Sequence, residues 1–259
     1  MFSGLYASAT GLVTRDIAMN HLTSNMVNSN VSGYKKEFVV FHSFDEEFKR
    51  ELEKFAPGAE TDFASGIDII QGITDFSQGP LKYTGDPMDY AIEGDGFFTL
   101  ETDFGKVYSR KGVFKINSLH ELVTDEGYKV LLDSGSPVVF EGAEPGKLTG
   151  SLGILDDGTV YYLDAASKKV TVGKLDLVKF TNPEQLERLG YGLWKTTEEN
   201  PGTVASDAKI CQGYLEMANT SPVENMVEIM FNQRLFDANA NALKTIQQSV
   251  SNLISAFGG

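Results

Sequence analysis

Residues 221–257 read SPVENMVEIMFNQRLFDANANALKTIQQSVSNLISAF, and the spacing of their apolar side chains decides how the rest of the chain is read. Ile229, Phe236, Leu243, Val250 and Phe257 recur every seven residues, with Ile246 and Leu253 three residues after Leu243 and Val250. That is a coiled-coil-like seam. Ser221 is a capping residue, Pro222 suits the first helical position, and Glu224 completes a capping box. The pattern predicts a helix from Pro222 to Phe257, about 54 Å long at about 1.5 Å per residue.

The opposite end of the chain repeats the pattern. Leu5, Leu12, Met19 and Met26 also recur every seven residues, Phe2, Ala9 and Leu22 widen the stripe, and Gly33 offers a helix stop. Two such seams are most simply satisfied by packing on each other. Residues 1–34 and 218–259 hold only 7 of the 58 charged side chains, fewer than half of what an even spread would place there, and 10 of the 13 asparagines. Solvated helix faces normally carry Glu and Lys, and asparagine is a poor helix former. Asn232 and Asn239 fall on the seam, where a polar group costs stability but fixes register. Periodicity alone also fits two helices of an ordinary helical domain with the stripe as its core. Charge depletion and asparagine enrichment favour faces that meet copies of the same pair in an assembly.

Between the ends the period shortens to two. FFTLET, KVYSRKGVFKI, HELVT, SPVVF, GILDDGTVYYL and KLDLVKF are separated by Gly and Asp turns, with Asp125-Glu126-Gly127 and Asp156-Asp157-Gly158 as hairpin turns. NPEQLERLG reads as a short helix capped by Asn182, begun by Pro183 and stopped by Gly190. Residues 35–80 are a connection in which KKEFVVFHSFDEEFKRELEKF fits strand or helix and APGAETDFASG reads as a loop. The expected fold is therefore α+β: a discontinuous, coiled-coil-like helical domain from residues 1–34 and 215–259, with an antiparallel β-domain inserted at 81–205.

Composition narrows the chemistry. A net charge of −14 argues against binding nucleic acid or anionic lipid. Cys211 is the only cysteine, and His21, His42 and His120 are scattered, so neither a disulfide nor metal-ligand spacing is expected. The first residues lack the charge and apolar run of a secretory signal, and no apolar stretch is long enough to insert into a membrane. EGDGFF at 93–98 lacks phosphate-loop spacing and reads as a turn into a strand. Adjacent acids at Asp156-Asp157 and Asp45-Glu46-Glu47 read as solvated turns, and Tyr191 and Trp194 as packing residues. No catalytic, metal or cofactor site is expected. The remaining rival is an enzyme or carbohydrate-binding β-domain whose terminal helices dimerise.

Both ends resemble the paired terminal motifs of bacterial flagellar rod and hook proteins. SNMVNSNVSGYKK matches the N-terminal motif at Asn25, Asn28, Asn30, Gly33, Tyr34 and Lys35, departing at Ser24 and Val31. The C-terminal motif matches at Asn219, Ser221, Val223, Glu224, Met226, Val227, Gln233, Arg234, Phe236, Asn239, Ala240 and Asn241, with Asn225 and Asp237 in place of the usual Glu. FSQGPLKYTGDPMDYAIEGDGFFTLET is similar to the start of the family's β-domain. The resemblance implies a basal-body rod subunit of proximal or distal type, with terminal helices forming an inner tube and the β-domain outside. It also implies partners: copies of the same chain, other rod, hook or ring proteins, and the flagellar type III export apparatus. No enzyme activity or cofactor is implied, and the location is the periplasm-spanning rod, reached without a cleaved signal.

Overall fold

The computed structural model describes residues 2–43, 67–103, 105–140, 152–163, 168–196 and 200–257. The loop reading of 56–66 and the acids at 45–47 lie outside them. The chain is α+β and divides into two compact units, one from residues 1–27, 37–75 and 220–259, the other from 28–36 and 76–219.

The first unit contains α1 (Phe2–Val27), α2 (Pro222–Phe257), and the strands β1 (Glu37–Ser43) and β2 (Ile67–Thr74). α2 has the predicted limits. Its first turn closes with Asn225 N–H donating to Ser221 O at 3.0 Å, while the Asn225 amide donates to Thr220 Oγ1 at 2.9 Å. α1 ends six residues before Gly33, so that glycine is no helix stop. β1 and β2 pair antiparallel with a bulge at Val40/Phe41, so the strand-or-helix ambiguity resolves to strand over Glu37–Ser43, while its remainder at 44–55 lies outside the described residues. A two-stranded ribbon is marginal alone. Here it packs on α1, where the Asn25 side chain both donates to Glu37 O (2.6 Å) and accepts from Glu37 N–H (3.0 Å).

The second unit holds strands β3 (Leu81–Tyr83), β4 (Tyr90–Glu93), β5 (Phe97–Thr102), β6 (Gly105–Ser109), β7 (Phe114–Ile116), β8 (Leu122–Thr124), β9 (Lys129–Val130), β10 (Leu152–Ile154), β11 (Thr159–Leu163), β12 (Lys169–Lys174), β13 (Leu177–Lys179), β14 (Glu187–Gly190), β15 (Leu193–Lys195), β16 (Thr203–Val204), β17 (Lys209–Gln212) and β18 (Tyr214–Glu216). The largest sheet runs β14-β15-β6-β5-β9-β8-β7, with β13 joined to β5 and β16 to β13. β10-β11-β12 form a second sheet, and β17-β4 and β18-β3 form pairs. Among the described residues all pairings are antiparallel. Tyr90, Ile92, Phe98, Leu100, Phe114, Leu122, Phe140 and Ile210 fill the core.

Two sequence expectations fail here. NPEQLERLG is not a helix: only a 3-10 turn forms at Pro183–Gln185, Leu186 is extended, and Glu187–Gly190 becomes β14 paired with β15. Asn182 provides no side-chain cap, and the Trp194 strand supplies a sheet edge that outcompetes one turn of helix. Tyr191 is not a packing residue. It is 83% exposed at the β14–β15 tip with φ of 54°, whereas Trp194 packs against Phe76 and Phe97 as expected. The turns at Gly127 and Gly158 have the positive φ their hairpins require.

Candidate assembly site

α2 uses one face inside its own chain. Asn225 and Asn232 are buried, and Ile229, Phe236, Asn239, Leu243, Ile246 and Val250 are half-buried. On α1, Leu12, Met19, Leu22 and Met26 are half-buried and Gly11 is buried. Asn232 Nδ2 donates to Arg15 O at 2.8 Å. A Cβ on Gly11 would stand 3.0 Å from Asn239 Nδ2, so the glycine that weakens α1 as a helix gives Asn239 its place. Asn232 thus bonds to α1 and Asn239 lies over Gly11 within one chain. The side chains of Leu5, Leu253 and Phe257 lie outside the described residues.

The opposite face of α2 is also apolar over its first three turns. Val223, Met226, Val227, Met230 and Phe231 follow i, i+3, i+4, i+7, i+8 spacing and are each 52–69% exposed. Glu224, Gln233 and Arg234 are exposed beside them. The seven-residue repeat marks only the inner stripe. The outer one has helical spacing of its own, but it is short and overlaps the longer repeat, which masks it in the sequence.

The other motif residues meet in the β-rich unit. Gly33 and Tyr34 are buried, Asn28 and Asn219 are half-buried, and Asn30 is exposed; Ser221, at the start of α2, is half-buried in the helical unit. Lys35 is buried as well, its Nζ donating to Glu216 Oε1 at 2.6 Å and to Ser77 O at 2.7 Å. Arg110 Nη1 reaches Glu216 Oε2 at 3.3 Å, and Gly79 N–H donates to Glu216 Oε1 at 2.9 Å. Burial pulls the Arg110 guanidinium below its ordinary value, and the Glu216 carboxylate opposes that pull. Gly33, at φ of 69°, lies so close to this cluster that a Cβ would fall 2.7 Å from Lys111 N. No local period links Lys35, Arg110 and Glu216, so nothing in the sequence signals that they meet.

Among the described residues, no three His, Cys, Asp or Glu side chains gather as a metal site, and no helix is long and apolar enough to cross a membrane.

Two family models match, the flagellar hook protein FlgE/F/G D1 domain over residues 91–162 and the flagellar basal body rod FlgEFG protein C-terminal over 212–256. The chain is 30% identical over 258 residues to the flagellar basal-body rod protein FlgG of Borreliella burgdorferi, covering 95% of each protein. The chain belongs to the flagellar basal-body rod protein family. It is also 27% identical over 270 residues to FlgG of Bacillus subtilis, covering 98% of this chain and 99% of the relative. A further match, 27% identical over 259 residues, is FlgF of Mesorhizobium japonicum, covering 100% and 99%. The rod family is structural, not enzymatic. Its C-terminal model takes in Glu216, Asn219 and both apolar faces of α2 up to Ala256, and its D1 model takes in Arg110.

Proposed function

We propose that this protein is a structural subunit of the bacterial flagellar basal-body rod. Its terminal helices form the wall of a helical tube around an export channel, and the assembled tube transmits torque. The observation that carries the reading is the two-faced start of α2: the inner face is used by α1, and the outer stripe from Val223 to Phe231 is left exposed. Contiguous apolar surface of this kind marks an interaction site. Heterologous contacts that do not close generate a helical polymer, and the charge-poor, asparagine-rich ends suit burial among neighbours. The partners are other copies of the chain, adjoining rod, hook or ring proteins, and the flagellar type III export apparatus that delivers the subunit. Family resemblance supports those last assignments.

Hydrogen exchange on the dilute chain and on its assembled form tests the reading. Residues 28–36 and 81–205 are expected to be protected in both, and 1–27 and 220–259 to gain protection on assembly. Full protection of the ends in a monomer that forms no larger species would refute it and return attention to ligands of the β-rich unit.

A further inference from the structure

The chain passes between its two units four times, at 27/28, 36/37, 75/76 and 219/220. Three of these passages leave the β-rich unit through segments that are tied to one another inside it. Asn219 Oδ1 accepts from Lys36 N–H at 2.6 Å, and Asn219 Nδ2 donates to Ser77 O at 3.3 Å and to Ser77 Oγ at 3.2 Å. Three residues earlier, Glu216 O accepts from Gly33 N–H at 2.8 Å, and its carboxylate takes Lys35, Gly79 and Arg110. One carboxylate and one carboxamide therefore hold residues 33–36, 77–79 and 216–219 together.

We propose that Glu216 and Asn219 form a clasp that locks these passages in register, so that residues 28–36 open as one cooperative segment and only after the clasp breaks. The inference is independent of rod assembly. Four features make it a device more than ordinary packing. The Lys35 and Glu216 side chains are almost fully buried, so the pair is little screened by solvent or salt. Glu216 faces two cations, so its loss leaves two buried positive charges, the costly way to break such a group. Segment 28–36 belongs to no sheet and has no strand of its own to retain it. Gly33 has neither the space nor the φ to accept a side chain, which pins the segment's backbone against Arg110 and Lys111.

Limited trypsin digestion of the full-length chain tests the clasp. Cleavage after Lys36 reports opening of the segment, cleavage after Lys174, exposed at the end of β12, is the internal reference, and Trp194, the single tryptophan, reports the β-rich unit by its emission. Glu216→Gln is expected to speed the Lys36 cut roughly a hundredfold, with the Lys174 cut and the Trp194 signal unchanged. Asn219→Ala buries no new charge and is expected to speed the same cut about tenfold. A Lys36 cut at the original rate in Asn219→Ala overturns the proposal. So does acceleration of every cut together with loss of the Trp194 signal in that variant, since the residues would then be general core contacts. If Glu216→Gln unfolds the whole unit, Asn219→Ala decides by the same criterion.

Discussion

Met230→Glu places one charge in the middle of the outer stripe of α2, and its effect follows from the exposures. Full burial of a Val, Met or Phe side chain is worth about 1.5–3 kcal/mol. With half to two-thirds of each surface still open at Val223, Met226, Val227, Met230 and Phe231, a covering partner gains roughly 1–2 kcal/mol per residue and on the order of 5–10 kcal/mol in total. Glutamate at 230 removes one share and forces a carboxylate out of water at a cost of several kcal/mol. Assembly should weaken by about a hundredfold or more at each contact. The isolated chain should change by less than about 0.5 kcal/mol, since the site is exposed there. Circular dichroism checks the helices, sedimentation velocity checks assembly, and swimming of a complemented strain checks function. Leu243→Asp on the inner face is the contrast. It should separate α1 from α2 in the single chain at a cost of a few kcal/mol and leave Trp194 emission native. Normal assembly and swimming with Met230→Glu would refute the two-faced reading.

Asn232→Ala removes a buried amide and its bond to Arg15 O, so the helix pair should lose about 1–3 kcal/mol in urea unfolding followed by helical circular dichroism. Gly33→Ala meets both a left-handed φ and backbone atoms within 3 Å. It should cost more than the roughly 1–2 kcal/mol of the dihedral alone and lower the thermal midpoint accordingly. Burial, assisted by the nearby Tyr161, pushes the Tyr90 hydroxyl well above its usual range. A folded-state pKa raised above the unfolded value gives stability that is complete below about pH 10 and is lost as pH rises toward the folded value. Urea midpoints of the β-rich unit should therefore fall above about pH 10, and fall less steeply in Tyr90→Phe.

Long-period signals are legible in the sequence and short-range competition is not. The seven-residue repeat and the Pro222 start locate α2 to the residue, because a 36-residue helix presents many repeats that agree. The Asp-Gly turns locate the hairpins because positive φ leaves few residue choices. NPEQLERLG misleads because its three helix signals are outweighed by a strand, β15, that lies further along the chain. In the same way, nothing near Lys35 in sequence reveals Glu216, and only the fold joins them. The asparagines stand out by number, but the bonds of Asn25, Asn219 and Asn232 lie within the chain, because a side-chain amide offers both a donor and an acceptor to backbone groups.

The discontinuity of the first unit sets an order of events. Of the described elements, α1 leaves the ribosome before the others and its partner α2 after them. No contiguous stretch of the chain contains the pair without everything between, so until residues 220–257 arrive, the apolar stripe of α1 has no other helix among the described residues to cover it. Any compartment through which the protein passes as an extended thread will therefore find α1 without its mate for nearly the whole transit. Completion is timed by arrival of α2, and the β-rich unit, whose last described strand is β18, can close before α2 has come through.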